Sequence, residues 1–338
     1  MKNNIAIWMT HGLGDVVMSI PFLKDYTNKN NTYHIFIKGK LQKDLIKLFC
    51  DSEIHFEFYN LSSGKFLFYK SLFKKFDIFI FLHGTRKFKS DLILRFLNTK
   101  KIILPEGKSL ILKTSLKKFD IVKRTKNHKV NYYRQFGKLE KIDDYNIDFS
   151  VNSKNPILMI APGSGEIEKH KRLLAVQWAE LINLIKIKNN NLQIIVFHSR
   201  NEINLFKEIN KYSKYELQNF IPNSIQDSVD FIKKTKYCIT VCNGTSHMTS
   251  LLKIPTLGIY GPTNPFFTGV FGKYNRIYRL GYACSPCYRK DFITGCGNNR
   301  CISDIDMNLI FLEFMKLKEK KYTKSNYIDD VESLHLIK

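Results

Sequence analysis

The sequence predicts an α/β fold made of two successive units, each a parallel sheet with helices on both faces. Three observations carry this. Short apolar runs alternate with amphipathic segments along most of the 338 residues. Several of those runs end in loops of small residues. A polar stretch, 143–154, separates the two alternating halves and reads as a linker. The expected division is 1–150, 151–322 and a tail, 323–338.

Hydrophobic residues make up 44% and aromatics 13%, which excludes a disordered chain. Lys and Arg number 54 against 30 Asp and Glu, a formal charge of +24. Such an excess attracts polyanions: nucleic acid, anionic lipid headgroups or phosphorylated glycans. A solvated lysine surface in a Lys/Asn/Ile-rich composition is the plainer reading. Lys2 leads into a strand pattern rather than a secretory leader, and no long uncharged apolar run is present, so a cytoplasmic chain without a membrane span is expected. Seven cysteines in such a chain suggest reduced thiols or a metal site before disulfides.

Residues 5–9 read as the first strand. It runs into Thr10-His11-Gly12-Leu13-Gly14-Asp15, and a helix follows over 16–28. Pro21 falls within the first turns of that helix, where a missing N–H is tolerated. The glycines allow a tight turn and close backbone approach to a ligand. Asp15 has two compatible readings, a helix N-cap and a catalytic carboxylate at the mouth of the sheet. The third glycine of a dinucleotide fingerprint is missing.

Strands are expected at 34–38, 54–59, 77–82 and 101–104, with helices at 41–49, 66–73 and 89–97. The 77–82 strand ends in His83-Gly84-Thr85-Arg86, so His83 and Arg86 are candidates for acceptor contacts, or a solvated loop. Residues 108–141, rich in Lys, Arg and Tyr, are expected to form helices.

The second unit opens with a strand at 157–161 and the tight loop Pro162-Gly163-Ser164-Gly165. The loop runs on through Lys169, Lys171 and Arg172. A helix follows over 175–186, with Val176, Ala179, Leu181, Ile182 and Ile185 on one face. A strand at 194–198, a helix opened by Glu202 and another at 225–234 lead to the most informative stretch. There a buried strand, 237–241, gives way to the polar turn Cys242-Asn243-Gly244-Thr245-Ser246-His247. A helix over 248–253 follows, then a strand over 256–260 that ends in Gly261-Pro262-Thr263-Asn264-Pro265. In an open α/β sheet, ligands bind beyond the carboxyl ends of strands. Small residues there let N–H groups face phosphate or sugar oxygens, and a following helix adds the positive end of its dipole.

Cys284, Cys287, Cys296 and Cys301 follow. Two short cysteine pairs joined by a small loop can close a thiolate cage around a structural zinc. Reduced buried thiols, or disulfides under oxidising conditions, are the other readings. A lysine-rich helix over 310–321 precedes the tail.

Three of these stretches, in this order, resemble signatures of glycosyltransferase family 9, the ADP-heptose:lipopolysaccharide heptosyltransferases. The first is Leu13-Gly14-Asp15-Val16-Val17-Met18-Ser19-Ile20-Pro21-Phe22-Leu23. The second is Pro162-Gly163-Ser164 with Lys171-Arg172 and Trp178. The third runs from Asn243-Gly244-Thr245-Ser246-His247 to Tyr260-Gly261-Pro262-Thr263-Asn264-Pro265. The cysteine cluster also resembles that of the second-heptose branch. The resemblance extends from Ile5 to Asp304.

What the resemblance implies is a GT-B fold, two Rossmann-like doubly wound domains facing across a cleft. It implies an inverting transfer of heptose from ADP-heptose to the lipopolysaccharide inner core, needing no metal for the chemistry. The family's base matches Asp15. Its donor-phosphate lysine matches Lys171, its loop hydroxyl Ser164 and its nucleoside-contacting acid Glu202. Asn243, Gly244, Thr245, Ser246 and His247 match the donor pyrophosphate loop. His11, Gly12, Gly14, His83 and Arg86 fall to the acceptor, a membrane-held anionic lipid A–Kdo core at the inner face of the cytoplasmic membrane. Cys242 stands where the family has Asp, which leaves a different donor sugar or glycan acceptor open. Thr249 and Ser250 replace the usual alanines, and Leu173-Leu174 an aromatic–proline pair. A basic nucleic-acid-binding protein is the reading from charge alone; no known nucleic-acid-binding module is present, and the aromatics sit mainly in apolar segments.

Overall fold

The computed structural model describes residues 2–64, 69–83, 94, 96–107, 118–124, 127–143, 156–189, 191–287 and 298–319. The chain divides into two compact units, Met1–Lys141 and Ile142–Lys338. The tail and Arg86 lie outside the described residues, as do most of the positions expected to form a helix at 89–97; of the helix expected at 66–73, residues 69–71 are helical and 66–68 lie outside the described residues.

The first unit is one parallel sheet of six strands: β1 (Asn4–Met9), β2 (Thr32–Ile37), β3 (His55–Asn60), β4 (Phe76–Ile80), β5 (Thr99–Pro105) and β6 (Lys118–Val122). Their order is β3-β2-β1-β4-β5-β6. Ile7 of β1 pairs with Ile35 on one side and Ile80 on the other. All six residues of β2 are buried, as expected of a strand covered on both faces. Phe36, Phe76, Phe79 and Phe81 fill one core cluster together with Ile102 and Leu104 of β5. The main described helices are α1 (Leu13–Tyr26), α2 (Lys40–Phe49) and α3 (Lys129–Arg134).

Two expectations are corrected here. Helix α1 starts at Leu13 with Gly12 as its N-cap, so Pro21 lies in its third turn. Residues 16–23 are all buried, and that packing offsets the hydrogen bond a mid-helix proline removes. Residues 118–122 form an edge strand rather than a helix, pairing with β5.

The second unit repeats the plan with β7 (Ile157–Ala161), β8 (Gln193–Phe197), β9 (Gln218–Phe220), β10 (Tyr237–Val241), β11 (Thr256–Ile259) and β12 (Arg276–Tyr278). The order is β12-β11-β10-β7-β8-β9. Its main helices are α4 (Ala175–Lys188), α5 (Ile203–Tyr212), α6 (Ile225–Lys234), α7 (Gly244–Leu251) and α8 (Met307–Lys318). Strands β9 and β12 were not expected; three residues are too few to show a period. Trp178 is fully buried among Leu181, Ile182, Ile185 and Phe314. A buried indole is worth about 3–5 kcal/mol against alanine. Val176, expected on that apolar face, is half exposed instead. Among the described residues no helix is long and apolar enough to cross a membrane.

Both sheets share one consequence. In each, the chain builds outward from a central strand, then returns to build on that strand's other side. The loops after β1 and β4, and those after β7 and β10, therefore lie side by side at the carboxyl ends. That is the switch point where open α/β sheets bind ligands.

Candidate active site

In the first unit the switch point gathers His11, Gly12, Gly14, Asp15 and His83. Gly12 caps α1, and its carbonyl accepts the Asp15 N–H at 3.1 Å. Asp15 is thus the third helical residue and not the cap. Its side chain is 18% exposed. Oδ1 accepts from Lys129 Nζ at 2.5 Å and from the Tyr133 hydroxyl at 2.9 Å. Oδ2 lies 3.4 Å from His11 Nδ1. Burial disfavours the ionised carboxylate, but Lys129 and the His11 hydrogen bond outweigh it and hold the carboxyl well below its ordinary range.

His83 follows β4 and is 1% exposed; its N–H extends the sheet by donating to the Trp8 carbonyl at 3.0 Å. Its ring lies 4.8 Å from that of Tyr133 and 5.6 Å from that of His11. Neither ring nitrogen has a hydrogen-bond partner among the described residues. Burial pushes its pKa down to about 3, so the ring is neutral at pH 7.

Sequence reasoning missed Lys129, Tyr133 and Gln42. Lys129 and Tyr133 are four residues apart and so share a face of α3. Arg134 ties that helix to α1 through the Asp25 carboxylate and the Pro21 carbonyl, the latter at 3.3 Å. Gln42 of α2 is buried and donates to the His11 carbonyl, which fixes the loop that carries His11. The only available signal was a stretch rich in Lys and Tyr, and that reads equally as surface.

In the second unit the loops after β7 and β10 are joined by Asn243. Its Oδ1 accepts the Ser246 N–H at 2.7 Å, capping α7, while Nδ2 donates to the Gly163 carbonyl at 2.7 Å. The turn expected at 243–247 is therefore the first turn of α7, a correction that places the Gly244 and Thr245 N–H groups at a helix start. Both residues are partly exposed, whereas Ser246 and His247 are buried. The Ser164 hydroxyl donates to the Glu168 carbonyl at 2.8 Å and accepts from Arg172 Nε at 3.1 Å. Lys171 Nζ meets Glu168 Oε1 at 2.6 Å. Glu202 accepts from the Ser199 N–H and hydroxyl at 3.0 and 2.8 Å, and its Oε1 is 3.6 Å from Arg172 Nη2. Ser164, Lys171 and Glu202 are thus tied together through Glu168 and Arg172, and Asn243 holds the same loop through Gly163, at the carboxyl ends of the central strands.

Cys242 packs with Tyr260, Val270 and Ile277 in an apolar cluster and is 5% exposed. Cys284 is exposed, Cys287 half-buried and Cys301 buried; Cys296 lies outside the described residues. Among the described residues no three His, Cys, Asp or Glu side chains come together as a metal site. Near Cys301, Asn299 Nδ2 donates to the His170 carbonyl at 2.7 Å. Gln177 of α4 donates to the carbonyls of Ile302, Ser303 and Ile305.

Residues 66–296 match the family model of glycosyltransferase family 9 (heptosyltransferase). The chain is 24% identical over 340 residues to lipooligosaccharide heptosyltransferase 2 of Campylobacter jejuni, covering 93% of this chain and 98% of that one. It is 28% identical over 138 residues to lipopolysaccharide heptosyltransferase 2 of Salmonella typhimurium, 39% of each chain. A 53-residue match, 40% identical, covers 15% of lipopolysaccharide heptosyltransferase 1 of Pseudomonas aeruginosa and 16% of this chain. The chain thus spans well under half the length of these last two relatives. The structure of the Escherichia coli ADP-heptose LPS heptosyltransferase II superimposes with a TM-score of 0.67 at 18% identity, covering 96% of this chain and all of that one. The fold is therefore the GT-B type, with two Rossmann-like units.

Proposed function

The chain belongs to glycosyltransferase family 9, and on that premise we propose that it transfers a heptose from ADP-heptose to a hydroxyl of an anionic lipopolysaccharide core sugar, with inversion. The carrying observation is Asp15: a carboxylate at the switch point of the first unit, held ionised chiefly by Lys129 and His11 and hydrogen-bonded by Tyr133.

In this reading the acceptor oxygen attacks the anomeric carbon and its proton passes to Asp15. The bond from that carbon to the diphosphate oxygen breaks, and ADP leaves with the electron pair. An alcohol becomes acidic only as its new bond forms, so a weak base suffices provided it is ionised and within reach. Charge grows on the leaving β-phosphate. Lys171 and the first-turn N–H groups of α7 are the groups suited to stabilise it as it forms. Glu202 takes the nucleoside. The formal +24 charge suits a phosphorylated acceptor at an anionic membrane surface.

The test is product analysis after mixing the protein with ADP-heptose and truncated core acceptors. Heptosylated product from the native chain, with none from Asp15→Asn that still binds ADP, is the expected result. Full turnover in Asp15→Asn would remove Asp15 as the base. One observation favours a second reading. The Cys242 thiol lies in an apolar cluster, so this chain offers no carboxylate at that position to a donor hydroxyl. A panel of ADP-, UDP- and GDP-sugars tests it, and preference for another sugar would replace heptose while keeping the reaction.

A further inference from the structure

We propose that Lys129 is a positioning residue for the Asp15 base, holding one carboxylate oxygen so that the other is offered to the acceptor hydroxyl. The inference rests on the reading of Asp15 as the base. Lys129 and Tyr133 both donate to Oδ1, at 2.5 and 2.9 Å. The contact of Oδ2 is His11 Nδ1 at 3.4 Å, on a side chain that is 39% exposed. Two donors from one helix therefore fix one oxygen. The other faces a solvent-accessible loop residue that an incoming hydroxyl can displace.

The orientation comes from helix packing rather than from the loop. The spacing of Lys129 and Tyr133 directs both to one side of α3. Arg134, 5% exposed, binds that helix to α1, the element that carries Asp15. Gly137, in the turn that follows α3, lets the chain pass close to α1: a Cβ there would lie 2.7 Å from Tyr26 Cδ2. The base and its two donors are thus set by a single helix–helix contact.

The second part of the role is charge. The groups that face Asp15 are His11 from the loop after β1, His83 from the end of β4, and Lys129 and Tyr133 from α3. Burial raises the Asp15 carboxyl, and Lys129 leads the groups that reverse this. With the ammonium removed, burial dominates and the carboxylate takes up its proton at higher pH. A protonated Asp15 cannot accept the acceptor's proton, so the acid limb of the rate profile moves upward. A side chain that only fills space at position 129 would leave that limb in place.

The experiment is the pH profile of kcat/KM for heptose transfer from ADP-heptose, for the native chain and for Lys129→Met, Lys129→Arg and Tyr133→Phe. ADP binding and thermal unfolding are followed for each. The native profile is expected to stay flat from about pH 8 to about pH 5.5, while Lys129→Met loses about fivefold or more over that span. Lys129→Arg keeps the flat profile, Tyr133→Phe shifts it less than Lys129→Met, and ADP affinity is unchanged throughout. The 13C shift of the Asp15 carboxyl in the free protein gives the same titration without turnover. A Lys129→Met profile parallel to the native one overturns the inference, as does a shift that Lys129→Arg fails to repair. Asp15→Asn separates the two readings. Turnover persisting there sinks the base itself, whereas turnover lost there with a parallel Lys129→Met profile sinks only the role of Lys129. If Lys129→Met does not fold, Lys129→Gln takes its place under the same criteria.

Discussion

The Glu202 carboxylate fills the space that a side chain at Gly163 would need. An ideal Cβ on Gly163 would lie 2.0 Å from Glu202 Oε1 and 2.2 Å from its Cδ. Gly163 is therefore what lets an acid anchored by Ser199 rest against the loop that carries Ser164. Gly163→Ala must push the carboxylate away from Ser199 and Arg172. The expected result is a loss of about tenfold in ADP affinity and of about 1–3 kcal/mol in stability. Calorimetry and denaturant unfolding measure the two. Gly163→Ala/Glu202→Ala should regain stability without regaining affinity. Native ADP affinity in Gly163→Ala would detach Glu202 from the nucleoside.

Lys171 is 8% exposed along its side chain and paired with Glu168 at 2.6 Å. On the proposed reading, a diphosphate arriving at Lys171 meets a carboxylate already there. If Glu168 competes, Glu168→Gln should tighten ADP binding by about three- to tenfold at low salt, since two anions no longer contend for one ammonium. Lys171→Met should weaken ADP binding and lower kcat by about a hundredfold. Titrations at two salt concentrations, with single-turnover rates, check both. Weaker ADP binding in Glu168→Gln would mean that the acid holds Lys171 in place rather than competing with phosphate.

The strands and loops at the sheet centres were legible because they carry period and punctuation. The strands at 157–161 and 237–241 and the helix at 225–234 match their expected bounds to the residue. Each is a dense apolar run or an amphipathic turn sequence between clear breaks. Three of the four edge strands were not legible; the fourth, β3, was. Strands β9 and β12 are three residues long, and in β6 Lys118 and Asp120 mask a strand within a charged stretch. The start of α7 was misplaced because Gly and Thr have weak helix propensity; the Asn243 cap, a tertiary tie to Gly163, decides it. The same holds for the site. Asp15 was visible from its place in a motif, but Lys129, Tyr133 and Gln42 lie far from it in sequence and reach it only through packing.

His83 sets a pH dependence of stability whose sign can be worked out. Its folded pKa, about 3, lies below the ordinary histidine value of 6.5. Between those values the unfolded chain binds a proton that the native ring refuses. Acid therefore favours unfolding: the contribution is fully present above pH 6.5 and drains away as pH falls towards 3. At pH 5 the loss is about 2 kcal/mol, one and a half pH steps at about 1.4 kcal/mol each. His83→Phe keeps an aromatic ring against Tyr133 and removes the titration. Because neither ring nitrogen has a partner among the described residues, the change breaks no hydrogen bond there. Urea midpoints at about pH 7.5 and about pH 5 should then show the variant gaining about 2 kcal/mol on the native chain between the two conditions. Other titrating groups cancel in that difference. An equal offset at both pH values would show that the folded ring takes up its proton by pH 5 as readily as the unfolded one, and the lowered pKa of His83 would have to be abandoned.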